Sequence, residues 1–267
     1  MTIEQIIFLA LVQGITEFLP ISSSGHLQLV HQLTPWPDQG LLMDVAVHVG
    51  TLFAVVLYFW RDLLALAGGA LNLLRGRWTS EGRLALLLVV ATIPVIIVGF
   101  ILASTGAEED LRTAETVAWA NLVFAVLLYF GDKMGALTRR LEEMRVSGAV
   151  LVGLAQVLAL IPGASRAGVT MTAARFLGYE RTEAARFSML LSIPTIVGAG
   201  VLGFVELMEG GNQVLQLDAA IGAGLAFISA LFAIWGLMKL LQNMSLTPFV
   251  IYRIVLGVAL LGWLYLA

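Results

Sequence analysis

Gln13-Gly-Ile-Thr-Glu17-Phe-Leu-Pro-Ile-Ser22-Ser23-Ser24-Gly25-His26 interrupts an otherwise apolar run, Ile3–Leu33, near its middle. Leu160-Ile-Pro-Gly-Ala-Ser-Arg-Ala-Gly168 does the same to a second run, Val146–Leu177. Proline and glycine end a helix, and each remaining half is shorter than the roughly 20 residues that a crossing of the hydrocarbon core requires. Non-helical backbone is tolerated at membrane depth only where protein or a water-filled cavity covers it. The pattern predicts two re-entrant helical hairpins, each entering the bilayer, breaking near the middle and returning to its own side.

The composition around these breaks calls for lipid. Apolar residues make up 59% of the 267 positions and charged residues 12%, where a soluble domain carries about 25% charged residues; the mean hydropathy is +0.93. Uninterrupted apolar runs at Val45–Trp60, Leu84–Leu102, Val117–Phe130, Phe187–Val205, Ala219–Leu241 and Pro248–Leu266 read as six spans. The expected fold is an all-α polytopic membrane protein with about six transmembrane helices plus the two hairpins, in the order hairpin, three spans, hairpin, three spans. Three is odd, so the second half should sit inverted relative to the first. The chain then forms a single membrane domain, 1–267, with repeat halves at about 1–133 and 146–267.

Arginine and lysine in the short loops give an orientation. Arg61, Arg75, Arg77 and Arg83, then Lys133, Arg139, Arg140 and Arg145, then Arg175, Arg181 and Arg186 mark cytoplasmic segments, and 103–116 and 206–218 face outward. The first hairpin should enter from the outer face and the second from the cytoplasm. The absence of cysteine excludes disulfides, thiolate metal sites and cysteine nucleophiles. No basic stripe points to a nucleic-acid partner.

The breaks carry the chemistry. Gln13 and Glu17 are four apart and share a helix face; Pro20 ends that helix, and a serine after it can cap the returning one. Ser22, Ser23, Ser24, Gly25 and His26 then lie near the exposed amides of a helix start, which is an anion site. In the second break Pro162 and Gly163 end a helix, Ser165 can cap the next, and Arg166 and Thr170 follow, the guanidinium being suited to a two-pronged phosphate contact. Glu17 and Arg166 stand out because an ionisable group inside a membrane costs at least about 2.5–3.5 kcal/mol. Any one serine alone reads as packing glue. His48, four residues after Asp44, reads either as a helix cap or as pocket lining, and Arg253 either as a buried structural partner or as a further phosphate contact, the structural role being favoured. The residues alone permit a phosphatase or an anion transporter.

These motifs, Gln-Gly-x-Thr-Glu-Phe-Leu-Pro-x-Ser-Ser-x-Gly-His and Pro-Gly-x-Ser-Arg-x-Gly-x-Thr, resemble the two signature segments of the undecaprenyl pyrophosphate phosphatase family, the bacitracin-resistance proteins. Arg181-Thr-Glu-Ala-Ala-Arg-Phe-Ser-Met-Leu-Leu-Ser-Ile-Pro194 and Pro248-Phe-Val-Ile-Tyr-Arg253 extend the resemblance over the chain. It implies hydrolysis of undecaprenyl diphosphate to the monophosphate and phosphate, recycling a lipid carrier for peptidoglycan and other wall polymers, in a bacterial inner membrane with the site open to the outer face. Carried over by position, Ser23 matches the nucleophile, Glu17 and His26 the acid/base and orienting groups, and Arg166 the phosphate clamp, with Gln13, Ser22, Ser24, Gly25, Gly163, Ser165 and Thr170 around the phosphate. The family motif opens on Glu or Gln, here Gln13, which leaves no carboxylate pair at 13 and 17. Mg²⁺ or Ca²⁺ is expected at most as a neutraliser of the diphosphate, with Glu17 the one candidate ligand. The expected partners are the polyprenyl diphosphate, membrane lipids and, in a homodimer that no residue specifies, a second copy. A polyprenyl-phosphate flippase or anion transporter using the same midplane site is the alternative.

Overall fold

A computed structural model describes residues 1–106, 111–208 and 213–266. Among these the chain is helical, without a strand: α1 Ile3–Thr16, α2 Ser23–Leu33, α3 Gly40–Tyr58, α4 Trp60–Leu74, α5 Ser80–Thr105, α6 Ala114–Met134, α7 Val146–Val157, α8 Arg166–Phe176, α9 Arg181–Met208, α10 Gln213–Leu240 and α11 Thr247–Leu266. Local signals set the starts. Thr2, Thr79 and Thr113 sit in extended conformation before α1, α5 and α6, and each hydroxyl accepts from the amide three residues on, relieving a donor that the first turn cannot satisfy. Gly106 ends α5 at φ +70, where a side chain would be strained.

Five helices are long and apolar enough to cross a membrane: Gly40–Tyr58, Ser80–Thr105, Ala114–Met134, Leu217–Leu240 and Thr247–Leu266. The expected sixth span, Phe187–Val205, falls within the 28 residues of α9, whose last turns have side chains outside the described residues. Both interrupted runs are helical hairpins. The 14 residues of α1 and 11 of α2 reach only about 21 and 17 Å at 1.5 Å per residue, well short of a hydrocarbon core of about 30 Å.

One expectation needs correcting. The segment 61–83, read as a loop, contains the 15-residue helix α4. Its 15 residues are too few to cross the hydrocarbon core, and the arginines on either side of it read as loop charge. Gly69 is there for contact: a Cβ on it would collide with the backbone amide of Gly82 on α5, so α4 folds back against the first turns of α5.

The two halves interlock. The first hairpin's α1 packs on α10 of the second half, and the second hairpin's α7 packs on α5 of the first; α3 meets α9, and α6 meets α11. Small residues permit these approaches, as in membrane helices generally. A Cβ on Gly14 would lie 2.7 Å from the Ala226 carbonyl of α10, and one on Gly153 2.6 Å from the Ala91 carbonyl of α5. At the arginine-rich end, buried Asp132 of α6 accepts from Arg181 Nε at 2.6 Å and from the Leu246 amide at 3.0 Å. Fully buried Arg175 of α8 donates to the Gly135 and Ala136 carbonyls at 2.7 and 2.9 Å. The loop after α6 is thereby tied to α8, α9 and the start of α11.

Candidate active site

The first break begins where α1 ends at Thr16 and turns through Glu17–Ile21. Ser22 then caps α2 with φ 73 and ψ 93, its hydroxyl accepting from the Gly25 amide at 3.3 Å. A positive φ at a non-glycine residue costs on the order of 1–3 kcal/mol. The second break repeats the device: Ser165, at φ 71 and ψ 109, caps α8 by accepting from Gly168 at 3.1 Å. No other non-glycine residue among those described has positive φ. The shared conformation lets each helix begin abruptly, with Ser23 and Arg166 as the first helical residues and their amides pointing out of the helix end.

The two starts meet. A Cβ on Gly25 would lie 3.4 Å from Gly163 Cα and 3.1 Å from Val117 Cγ1, and one on Gly163, at φ +89, 2.6 Å from the Val117 carbonyl. Arg253 of α11, wholly shielded from solvent, fixes the junction. Its guanidinium donates to Pro20 O at 3.2 Å, Gly163 O at 2.8 Å, Ala164 O at 3.0 Å and Ala120 O at 3.4 Å. The Pro20, Gly163 and Ala164 carbonyls were freed when the helices broke, Ala120 belongs to α6, and one side chain thus ties the tips of both hairpins to that helix.

Around Glu17, which is 8% exposed, the polar side chains converge. Its Oε2 accepts from Ser23 Oγ at 2.6 Å and from Gln13 Nε2 at 3.0 Å. Its Oε1 accepts from Arg166 Nη2 at 2.9 Å. His48 Nε2 stands 3.7 Å from Oε2, while its Nδ1 donates to the Asp44 carbonyl at 2.7 Å. Arg166 is held further by the Ser188 carbonyl, 3.1 Å from Nη1, and by the ring of Phe18, 5.9 Å below its central carbon.

Of the residues singled out in the sequence, Gln13, Glu17, Ser23 and Arg166 come together, and His48 joins them as lining. Ser22 and Ser165 use their hydroxyls as caps. Ser24 is exposed, its hydroxyl 3.4 Å from that of Ser22. Thr170 is buried and turned to the Arg166 carbonyl, at 2.8 Å, and to the Ser188 hydroxyl, at 2.7 Å. His26 points elsewhere: Nδ1 donates to the Ser22 carbonyl at 2.6 Å, and Nε2 lies 2.5 Å from the Tyr252 hydroxyl. Phe18, Ser188 and Tyr252 were not singled out for the site although all three lie inside quoted motifs, and nothing in the spacing tied Tyr252 to His26.

The same geometry speaks to a cation. Mg²⁺ and Ca²⁺ take six or more oxygen ligands, usually from several carboxylates and waters. Here one carboxylate is present, both of its oxygens already accept from protein donors, and no group of three or more His, Cys, Asp or Glu gathers among the described residues. These residues do not make a divalent-cation site.

The fold and the site define a class: a multi-pass helical membrane protein with a carboxylate, a serine and a guanidinium gathered where two broken helices meet. The chain belongs to the bacitracin resistance protein BacA family, whose model matches residues 6–259. Curated relatives carry the name undecaprenyl-diphosphatase. One from Roseobacter denitrificans is 49% identical over 99% of this chain and 100% of its own length, one from a Ruegeria species 51% identical over 98% of both, and one from Alcanivorax borkumensis 49% identical over 97% of this chain and 98% of its own.

Proposed function

We propose that this chain is a phosphatase that hydrolyses undecaprenyl diphosphate to undecaprenyl phosphate and inorganic phosphate, recycling the lipid carrier for peptidoglycan and cell-wall synthesis and conferring bacitracin resistance. Relatives so named, matched over nearly their whole length, support the substrate. The observation that carries the chemistry is the 2.6 Å contact from Ser23 Oγ to a Glu17 carboxylate whose other oxygen is 2.9 Å from Arg166. A serine with a base on one side and a phosphate-binding fork beyond it is what nucleophilic attack on phosphorus requires. The transport reading, which the residues alone left open, needs neither.

Phosphoryl transfer asks mainly for positioning and charge stabilisation. The terminal phosphate would draw Arg166 away from Glu17 and accept from the free amides at the starts of α2 and α8. Glu17 takes the Ser23 proton as Oγ attacks phosphorus in line, the bond to the bridging oxygen breaks, and undecaprenyl phosphate departs with the electron pair. Water then attacks the phosphoserine, its proton passing to the site's base, and the Ser23 oxygen leaves and is reprotonated. Glu17, having passed its first proton on, is within reach of that water; His26, turned to Ser22 and Tyr252, is the second candidate base.

The protein would sit in the bacterial inner membrane with the site open to the outer face, as the arginine-rich loops favour. The cross-packing of each hairpin on the other half and the matched serine caps support an inverted repeat over about 1–133 and 146–267, with the hairpins entering from opposite faces.

Purified protein in detergent, given undecaprenyl diphosphate, should release phosphate, and Ser23→Ala or Arg166→Ala should remove most of the activity. A wild-type protein that releases none, with Mg²⁺ and Ca²⁺ each titrated, would overturn the proposal.

A further inference from the structure

Glu17 has to act twice in one turnover. It takes the Ser23 proton in the first step, and it is needed again as a carboxylate when water attacks the phosphoserine. Between the two, the first proton must leave it. The departing lipid phosphate does not carry that proton off, because a phosphate monoester is mostly ionised near neutral pH, its second pKa being about 6. Over the whole cycle a fully ionised diphosphate and water become two doubly charged phosphates and one surplus proton, so the site requires an exit.

His48 is placed for this. Its Nε2 lies 3.7 Å from Glu17 Oε2, the same oxygen that accepts from Ser23 Oγ. Its Nδ1 lies 2.7 Å from the Asp44 carbonyl; a carbonyl only accepts, so Nδ1 carries the proton and the neutral ring keeps a lone pair on Nε2. No group among the described residues hydrogen-bonds that nitrogen. The His48 side chain is 33% exposed and that of Glu17 7%, and an exposed imidazole at membrane depth faces a water-filled cavity. The spacing of the pair is built in. A Cβ on Gly50, two residues after His48, would collide with the Ala223 carbonyl of α10, and one on Gly14, three before Glu17, would lie 2.7 Å from the Ala226 carbonyl. The two helices that carry the pair are thus seated on neighbouring turns of a single helix.

We propose that His48 is the proton relay behind Glu17: its Nε2 takes from Glu17 the proton that Ser23 gave up and passes it to water. The proposal rests on the phosphatase reading above. When phosphate draws Arg166 from Oε1 and Ser23 Oγ bonds to phosphorus, the carboxyl keeps only Gln13 of its three hydrogen-bond partners. A shift of about half an ångström then brings Oε2 within the roughly 3.2 Å reach of proton transfer. The O–H bond of Glu17 breaks, an N–H bond forms at Nε2, and the imidazolium gives that proton to water. Glu17, a carboxylate again, takes the proton of the water that cleaves the phosphoserine and returns it to Ser23 Oγ as that oxygen leaves.

His48→Gln tests this, because it keeps a polar side chain of similar reach that takes up no proton. With undecaprenyl diphosphate, kcat should fall about ten- to a hundredfold, the lower end of what a positioned proton acceptor contributes, with KM held to within about twofold. The first step still runs, so labelled phosphate should build up on Ser23 above the wild-type level. In His48→Ala, added imidazole should restore activity in step with its concentration, and pyrrole, whose nitrogen has no free lone pair, should not. The chain has three histidines, so ¹⁵N-histidine labelling of the detergent-solubilised protein at pH 8 is readable, with His48→Gln supplying the assignment; His48 should show a pyrrole-type Nδ1 and a pyridine-type Nε2. Unchanged kcat, a loss confined to KM, a His48→Ala variant that imidazole does not revive, or an Nε2 already protonated each overturn the proposal. The nitrogen spectra require no turnover, so a wild type that hydrolyses nothing sinks the phosphatase reading while the state of Nε2 still decides whether His48 can take a proton.

Discussion

Glu17 and Arg166, 149 residues apart in sequence, form a 2.9 Å charge-assisted hydrogen bond across the junction of the two breaks. In a site of this low exposure the pair keeps each charge compensated, since an unpartnered ion taken out of water costs several kcal/mol. It also sets Glu17 as the group that must release Arg166 when a phosphate arrives.

Glu17→Gln should therefore separate chemistry from binding. The amide still accepts from Arg166 but takes no proton from Ser23, so kcat should drop about a hundred- to ten-thousandfold, the range for loss of a general base. KM should stay level or fall, because Arg166 is less firmly held. Steady-state phosphate release measures both.

Arg166→Lys keeps the charge and loses the fork. A single ammonium cannot serve Glu17 and the Ser188 carbonyl from two directions, and kcat should fall about a hundred- to a thousandfold, as when one positioned donor is removed. A lysine variant with wild-type rates would mean that the two-pronged contact is not used.

Substrate labelled in its terminal phosphate and quenched in acid during turnover should leave label on the peptide containing Ser23, and none in Ser23→Ala. Label on no serine at all would point to direct attack by water, with Glu17 acting on that water.

Ser22 and Ser165 should show an unusual order of substitution. Alanine removes the cap, worth about 1 kcal/mol, and leaves in place the strain of about 1–2 kcal/mol that the native serine's Cβ already bears at positive φ. Glycine loses the cap but relaxes the backbone, so each Ser→Gly should lower the unfolding midpoint in detergent less than Ser→Ala. Equal effects would remove the strain from the account.

Much of this could be read from the sequence because the deciding signals are local. Proline, glycine and serine placed both breaks and both caps, and a spacing of four put Gln13 beside Glu17. The expense of a membrane charge picked out Glu17 and Arg166 without saying that they meet. What failed to show was tertiary. Ser188 offers its backbone carbonyl, which every residue type has, and Tyr252 reaches His26 from the far end of the chain. His26 looked like a companion of Ser23 because it follows by three residues, yet the Ser22 carbonyl, one turn back, captures its ring and turns it to Tyr252. The helix α4 was passed over because it is too short to span and is flanked by arginines, and the reason for Gly69 is visible only once α5 lies against it.

The strap that Arg253 lays across both hairpin tips also orders events during biogenesis. The first hairpin is synthesised more than two hundred residues before that arginine, since Pro20 and Arg253 lie 233 apart; until then, its opened backbone has no such donor. A nascent chain cut short before α11 would hold both broken helices with their tips unfastened, so the junction they form is closed only once Arg253 has been made.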